Sequence, residues 1–158
     1  MSERISQVDR IMTVMEKAFD PAFGEAWNRR QISDALAMPS THAIVLDESG
    51  IELSRSTENQ QPAAFVLTRA AADEEELLLI AVAPEHRRRG LAKALISHLF
   101  AQARERGSTK IFLEMRCGNP AERLYRSVGF TPIGRRSNYY RLANGSRADA
   151  ITFGRPIA

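Results

Sequence analysis

Glu76-Leu77-Leu78-Leu79-Ile80-Ala81-Val82-Ala83-Pro84-Glu85-His86-Arg87-Arg88-Arg89-Gly90-Leu91-Ala92-Lys93-Ala94-Leu95 is the stretch that decides the fold. It opens with an apolar run ended by Pro84, as expected of a strand buried on both faces of a sheet. From Gly90 to Arg106 the residues Leu91, Ala94, Leu95 and Leu99 share one helical face, and Gly107 stands where a helix stop is expected. Between strand and helix lies a short basic turn. A helix start leaves its first N–H groups without intrahelical partners, and the macrodipole adds partial positive charge there. Together these make an anion site. Gly90 has no side chain to block a phosphate, and small Ala92 keeps the next turn open. Arg87, Arg88, Arg89 and Lys93 add charge around it. A solvated basic loop in which Gly90 only eases a turn reads the same way, so this stretch alone leaves both open. A P-loop is excluded for want of Gly-x-x-x-x-Gly-Lys-Ser/Thr, and a dinucleotide fingerprint for want of three glycines.

Working outward, Val8, Ile11, Met12, Met15 and Phe19 predict an amphipathic helix over about 6–19. A second helix is expected over 29–37, with Ile32 and Leu36 inward and Pro39 just beyond. Strands are expected at 43–46 and 63–68, separated by a polar loop over 47–61. A further strand follows at 110–115, then a short helix at 120–127 with Gly129 as its left-handed cap. Weaker strand signals cover 130–134 and 150–153. This order predicts an α/β (α+β) fold, a mixed sheet covered by helices, in one domain spanning 1–158.

The composition bounds the function. At 44% hydrophobic and 26% charged, the 158 residues are those of a globular protein with a real core. There is no run of eighteen apolar residues, and the Met1-Ser2-Glu3-Arg4 start lacks a secretory apolar stretch, so the expected compartment is the cytoplasm, with no membrane partner. Cys117 cannot form an internal disulfide. His42, His86 and His98 are too scattered to bind a metal, so no metal is expected. The net charge of +3 is mild, which argues against nucleic acid and leaves local anion sites at Arg87-Arg88-Arg89 and Arg135-Arg136.

A second informative stretch runs from Leu113-Glu114-Met115-Arg116-Cys117-Gly118-Asn119-Pro120-Ala121-Glu122 to Leu124-Tyr125 and Gly129-Phe130. Acyl transfer to an amine needs a base, donors for an oxyanion and a proton for the leaving thiolate. Glu114 is a candidate base if burial raises its pKa. Tyr125 is a candidate donor, and strand N–H groups freed by a bulge near Val82 are candidate oxyanion donors. Bland readings stand beside these: Glu114 as a solvated charge and Tyr125 as a core aromatic. Asn119-Pro120-Ala121-Glu122 reads as a capping box. Cys117 has nothing beside it to activate a nucleophile and is read as structural.

Arg87-x-x-Gly90-x-Ala92, following Ile80-Ala81-Val82, resembles the acetyl-CoA signature of the GNAT N-acetyltransferases, Gln/Arg-x-x-Gly-x-Gly/Ala. The resemblance implies the GNAT fold, with a mixed, mostly antiparallel central sheet flanked by helices. It implies that the turn residues Arg87, Arg88, Arg89, Gly90, Leu91, Ala92 and Lys93 bind acetyl-CoA, chiefly through backbone N–H groups. Ile80, Ala81 and Val82, on a bulged strand, would pair with the pantetheine arm. Leu113-Glu114-Met115-Arg116 and Ala121-x-x-Leu124-Tyr125-x-x-x-Gly129-Phe130 are similar to the RimI family, which acetylates the N-terminal amine of a ribosomal protein. That likeness spans about 19–151 and includes Trp27, Arg135-Arg136-Ser137-Asn138-Tyr139-Tyr140 and Arg147-Ala148-Asp149-Ala150-Ile151. It implies Glu114 as proton acceptor, Tyr125 as proton donor, Asn119 as a CoA contact, and Tyr139 and Tyr140 facing the peptide groove. The interval from Asn119 to Tyr125 is one residue shorter than the family's, which brings Gly118 to the asparagine position. The 47–61 loop is longer than the usual hairpin.

Three functions are carried forward: acetylation of a protein N-terminus, acetylation of a small amine, and non-catalytic CoA binding. An acidic pocket near the thioester would favour the small amine. Glu74-Glu75-Glu76 is the only acidic run, and it reads as a solvated turn before a strand.

Overall fold

The computed structural model describes residues 3–19, 26–54 and 60–157, with side chains from Gln7 onward. Met1, Ser2 and the middle of the long loop, 55–59, lie outside the described residues. Helices α1 (Glu3–Ala18) and α2 (Arg29–Leu36) come first, followed by strands β1 (Thr41–Leu46), β2 (Ala64–Ala71) and β3 (Glu74–Val82). Then come α3 (Leu91–Glu105), β4 (Lys110–Arg116), α4 (Glu122–Ser127), β5 (Thr131–Arg141) and β6 (Arg147–Pro156). The strands form one sheet in the order β1-β2-β3-β4-β6-β5. Every neighbouring pair is antiparallel except β3 and β4, which run parallel. The mixed, mostly antiparallel sheet flanked by helices is the one expected.

Local chemistry fixes the element ends. Asn28 caps α2 in a reciprocal box, its Oδ1 accepting from Gln31 N and its N–H donating to Gln31 Oε1, both at 2.8 Å. Gly107, at φ +88°, closes α3, with Ser108 N–H donating to Ala103 O at 2.9 Å and Gly107 N–H to Arg104 O at 3.0 Å. The sheet separates two apolar layers. On one side Leu91, Leu95, Ile96 and Leu99 of α3 pack with Leu113, Met115, Tyr125 and Phe130. On the other, Ile11 and Met15 of α1 and Ile32 and Leu36 of α2 cover Phe65, Leu67 and Leu79, with Trp27 packed alongside. Fully burying each such side chain is worth about 1.5–3 kcal/mol.

Several expectations need correction. The bulge expected near Val82 lies lower: Leu67 pairs with Leu79 and Thr68 with Leu77, so Leu78 is the extra residue. The insertion shifts the alternation, sending Leu78 and Leu79 both to the α1 side, while Ile80 and Val82 return to the α3 side. β3 is not buried on both faces, because Ile80 and Val82 are only half-buried. Glu74-Glu75-Glu76 is no solvated turn: it begins β3, and Glu75 is fully buried. The strands expected at 130–134 and 150–153 are present but longer, forming a hairpin of 131–141 against 147–156. The capping box at Asn119 is incomplete. Asn119 Oδ1 does accept from Ala121 N–H at 2.9 Å, but the Asn119 N–H donates to Arg116 O and Glu122 pairs with Arg126. Cys117, read as structural, is exposed.

Candidate active site

The parallel strands β3 and β4 pair only at their beginnings, from Glu74↔Lys110 to Glu76↔Phe112. β3 then continues to Val82 and β4 to Arg116 along separate courses. Their C-terminal ends therefore bound a slot in the middle of the sheet, where ligands bind in sheets with parallel strands. Which backbone groups face the slot follows from the β2 ladder. Ala83 N–H donates to Ala63 O at 2.8 Å, and Ala64 lies opposite Val82. Hydrogen-bonding direction alternates along an antiparallel pair. Leu79, Ala81 and Ala83 thus turn their polar groups to β2, while Ile80 and Val82 turn theirs toward the slot. The side chain of Ala81 is buried against the α1 layer.

The basic turn leaves the mouth of this slot. Arg88 and Gly90 are both left-handed, at φ 64° and 80°, in a turn that can gather successive N–H groups into an anion-binding concavity. Leu91, Ala92 and Lys93 form the first turn of α3, whose N–H groups have no intrahelical acceptor. A Cβ on Gly90 would meet nothing within 4 Å, so the space above it is open. Donors, open approach and slot together fit the pyrophosphate and pantetheine of a coenzyme A. The arginines differ in direction. Arg89 Nη1 lies 3.4 Å from His86 Nδ1. The Arg87 guanidinium turns away, donating to Ala18 O at 2.8 Å and Val82 O at 3.3 Å.

Glu114 and Tyr125 lie on opposite faces of the sheet. Ile111, Leu113 and Met115 belong to the α3-side core, so strand alternation directs Glu114 to the other face. There its side chain is 19% exposed, 3.2 Å from Arg136 Nε and accepting from Thr152 Oγ1 at 3.3 Å. Tyr125, 5% exposed, lies in the α3-side core with its ring edge-on to Phe130 at 5.7 Å. Tyr125 is thus the core aromatic that one of the two readings expected.

The hairpin extends the Glu114 face. Arg136 also lies 4.8 Å from the Tyr139 ring, which meets Tyr140 edge-on at 5.1 Å. Tyr139 is 48% exposed. Behind this line Asp149 accepts from the Asn138 N–H at 2.9 Å and from Arg135 Nε at 2.7 Å. The Asn138 N–H, then the Arg135 guanidinium, hold its carboxyl below the usual range. Asp149 thereby pins the bulge at left-handed Asn138 that displays Tyr139. Sequence reasoning found the residues of this segment but neither the link from Arg136 to Glu114 nor the clamp by Asp149. An asparagine inside a strand was the available sign of a bulge. Among the described residues, no group of three or more His, Cys, Asp or Glu side chains is placed to hold a metal ion.

A splayed parallel strand pair leads through a basic, left-handed turn into a helix, an arrangement with the donors and the space for an acyl-CoA. The chain belongs to the acetyltransferase (GNAT) family, whose model matches residues 10–130, and its acyl donor is acetyl-CoA. Over 103 residues, 65% of this chain and 69% of the relative, it is 42% identical to the [ribosomal protein bS18]-alanine N-acetyltransferase of Escherichia coli K12. The enzyme of that name from Haemophilus ducreyi is 33% identical over 145 residues, covering 89% of this chain and 95% of its own. The crystal structure of the Escherichia coli ribosomal-protein-S18-alanine N-acetyltransferase superposes with a TM-score of 0.77 at 30% identity, covering 96% of this chain and 88% of that one. No helix among the described residues is long and apolar enough to cross a membrane.

Proposed function

We propose that the whole chain, 1–158, works as one cytoplasmic domain that acetylates the N-terminal α-amine of a protein, with a ribosomal protein as the acceptor. The observation that supports this reading is that Glu114 and Tyr125 lie on opposite faces of the sheet, at and after the end of β4. Glu114 takes the proton of the acceptor ammonium on the Tyr139–Tyr140 side. The freed amine attacks the thioester carbonyl, and the Ile80 and Val82 N–H groups face the oxygen that gains charge. The C–N bond forms, the C–S bond breaks, Tyr125 gives its proton to the thiolate from the core side, and the second proton shed by the nitrogen as it becomes an amide passes through solvent to restore the phenol. Backbone N–H groups from Arg88 to Lys93 hold the pyrophosphate, and Asn119 shapes the turn between β4 and α4. The names of the relatives support the acceptor class.

The test is acetyl transfer to a ribosomal-protein N-terminal peptide, read by intact mass and run beside a panel of free polyamines, amino acids and aminoglycosides. The reading expects kcat/KM for the peptide to exceed that for every free amine. Preference for a small amine would reverse the acceptor assignment and leave the donor site unchanged. Binding of acetyl-CoA without turnover on either panel would defeat the catalytic reading.

A further inference from the structure

We propose that Arg87, the first residue of the acetyl-CoA signature, is a positioning residue that covers the Val82 carbonyl at the slot mouth and leaves the Val82 N–H to face the thioester. This rests on the reading that the thioester lies against Val82. The Val82 C=O and N–H both turn toward the slot, as the β2 ladder requires. An uncovered carbonyl there would point its negative end at the oxygen that gains charge during transfer. Arg87 Nε takes that carbonyl at 3.3 Å. Its cation offsets the carbonyl dipole, and the Val82 N–H is the group left to face the ligand.

The guanidinium is held in this pose from the other side. Its Nη2 donates at 2.8 Å to Ala18 O, in the last turn of α1, where helix carbonyls lack intrahelical partners and a cation is favoured by the dipole. Lys17 adds a second tie to the same turn, 3.4 Å from Glu85. The planar fork thus bridges two carbonyls from different elements, a geometry a phosphate ligand would have to break. Arg87 therefore acts on the rate of transfer, and the N–H groups beyond it act on donor affinity.

The experiment compares the full-length wild-type protein with Arg87→Ala and Arg87→Lys in three measurements. These are acetyl-CoA affinity by calorimetry, kcat at saturating donor with the best acceptor amine, and the Val82 amide resonance with and without acetyl-CoA. For Arg87→Ala the expectation is a kcat about tenfold lower, less than the loss of a direct oxyanion donor, with a donor Kd changed less than about threefold. The Val82 amide shift on binding should shrink. Arg87→Lys, able to reach one carbonyl but not bridge both, should fall between. A tenfold weaker donor Kd at unchanged kcat would make Arg87 a phosphate ligand and overturn the proposal. An unchanged kcat with an unchanged Val82 shift would overturn it as well. If wild-type protein acetylates no amine offered, the acceptor reading fails, while donor affinity and the Val82 resonance still decide the role of Arg87.

Discussion

Glu75 and Glu114 sit on adjacent parallel strands, each facing an arginine far away in sequence, and they have opposite fates. Glu75 lies where β3 and β4 are still paired. Its side chain is 0% exposed and accepts from Arg106 at 2.7 and 2.9 Å, from Thr68 at 3.2 Å and from Ser108 at 3.2 Å. Burial pushes its pKa up, but the Arg106, Thr68 and Ser108 hydrogen bonds outweigh that and hold it below the usual glutamate range. Glu114 lies beyond Phe112, the last β4 residue paired with β3, where those two strands have parted, and it keeps solvent access. The closed end of the sheet spends its carboxylate on fastening α3 to β3. The open end leaves its carboxylate reachable from solvent.

The comparison predicts a clean exchange of effects. Glu75→Gln should destabilise the fold by about 3 kcal/mol, the low end for a broken buried pair, because Arg106 stays a quarter exposed. Urea denaturation measures this, and turnover per folded molecule should stay within twofold. Glu114→Gln should do the reverse, lowering kcat about a hundredfold while unfolding free energy moves by less than about 1 kcal/mol. If Glu114→Gln unfolds the protein and spares kcat, the two carboxylates are the same kind of structural ion pair. A smaller effect belongs to the turn. Gly90→Val should weaken acetyl-CoA about tenfold in calorimetry, because a β-branched residue resists φ +80° even though its Cβ would meet no neighbour. Arg88→Ala should weaken it less if, as proposed, the N–H groups do most of the holding.

The same contrast explains what the sequence could reveal. The β3–turn–α3 unit was legible because an apolar run, Pro84, Gly90 and a helical face fall within twenty residues. Glu75 was misread because its partners Arg106, Ser108 and Thr68 come from other elements, so nothing local marks the site as dry. The hairpin was seen only as fragments. β5 is an exposed edge strand broken by Pro132, Gly134 and left-handed Asn138, so it shows no period-2 pattern. The slot was legible only through family likeness, because the point at which two strands stop pairing leaves no compositional trace. The direction of Arg87 was hidden as well, since its acceptors are main-chain carbonyls, which look alike in every sequence.

The smallest predicted effect tests the closed end by pH. His42 stands near the Glu75–Arg106 pair. Burial, then the Arg106 charge, lowers its pKa, and Glu75 partly opposes them. A histidine depressed in the folded state is protonated first in the unfolded chain, so stability should fall as pH drops through the ordinary histidine value toward the folded one. Glu75, depressed by its hydrogen bonds, contributes stability that is present above the ordinary glutamate value and lost as pH falls through its lower folded value. Two separate slopes should therefore appear in unfolding free energy against pH. His42→Gln should flatten the upper slope by a few tenths of a kcal/mol and leave the lower one. Glu75→Gln should remove the lower slope and steepen the upper, because the charge that partly offsets the Arg106 effect on His42 is then gone. A Glu75→Gln protein whose upper slope is unchanged would show that the two groups titrate independently.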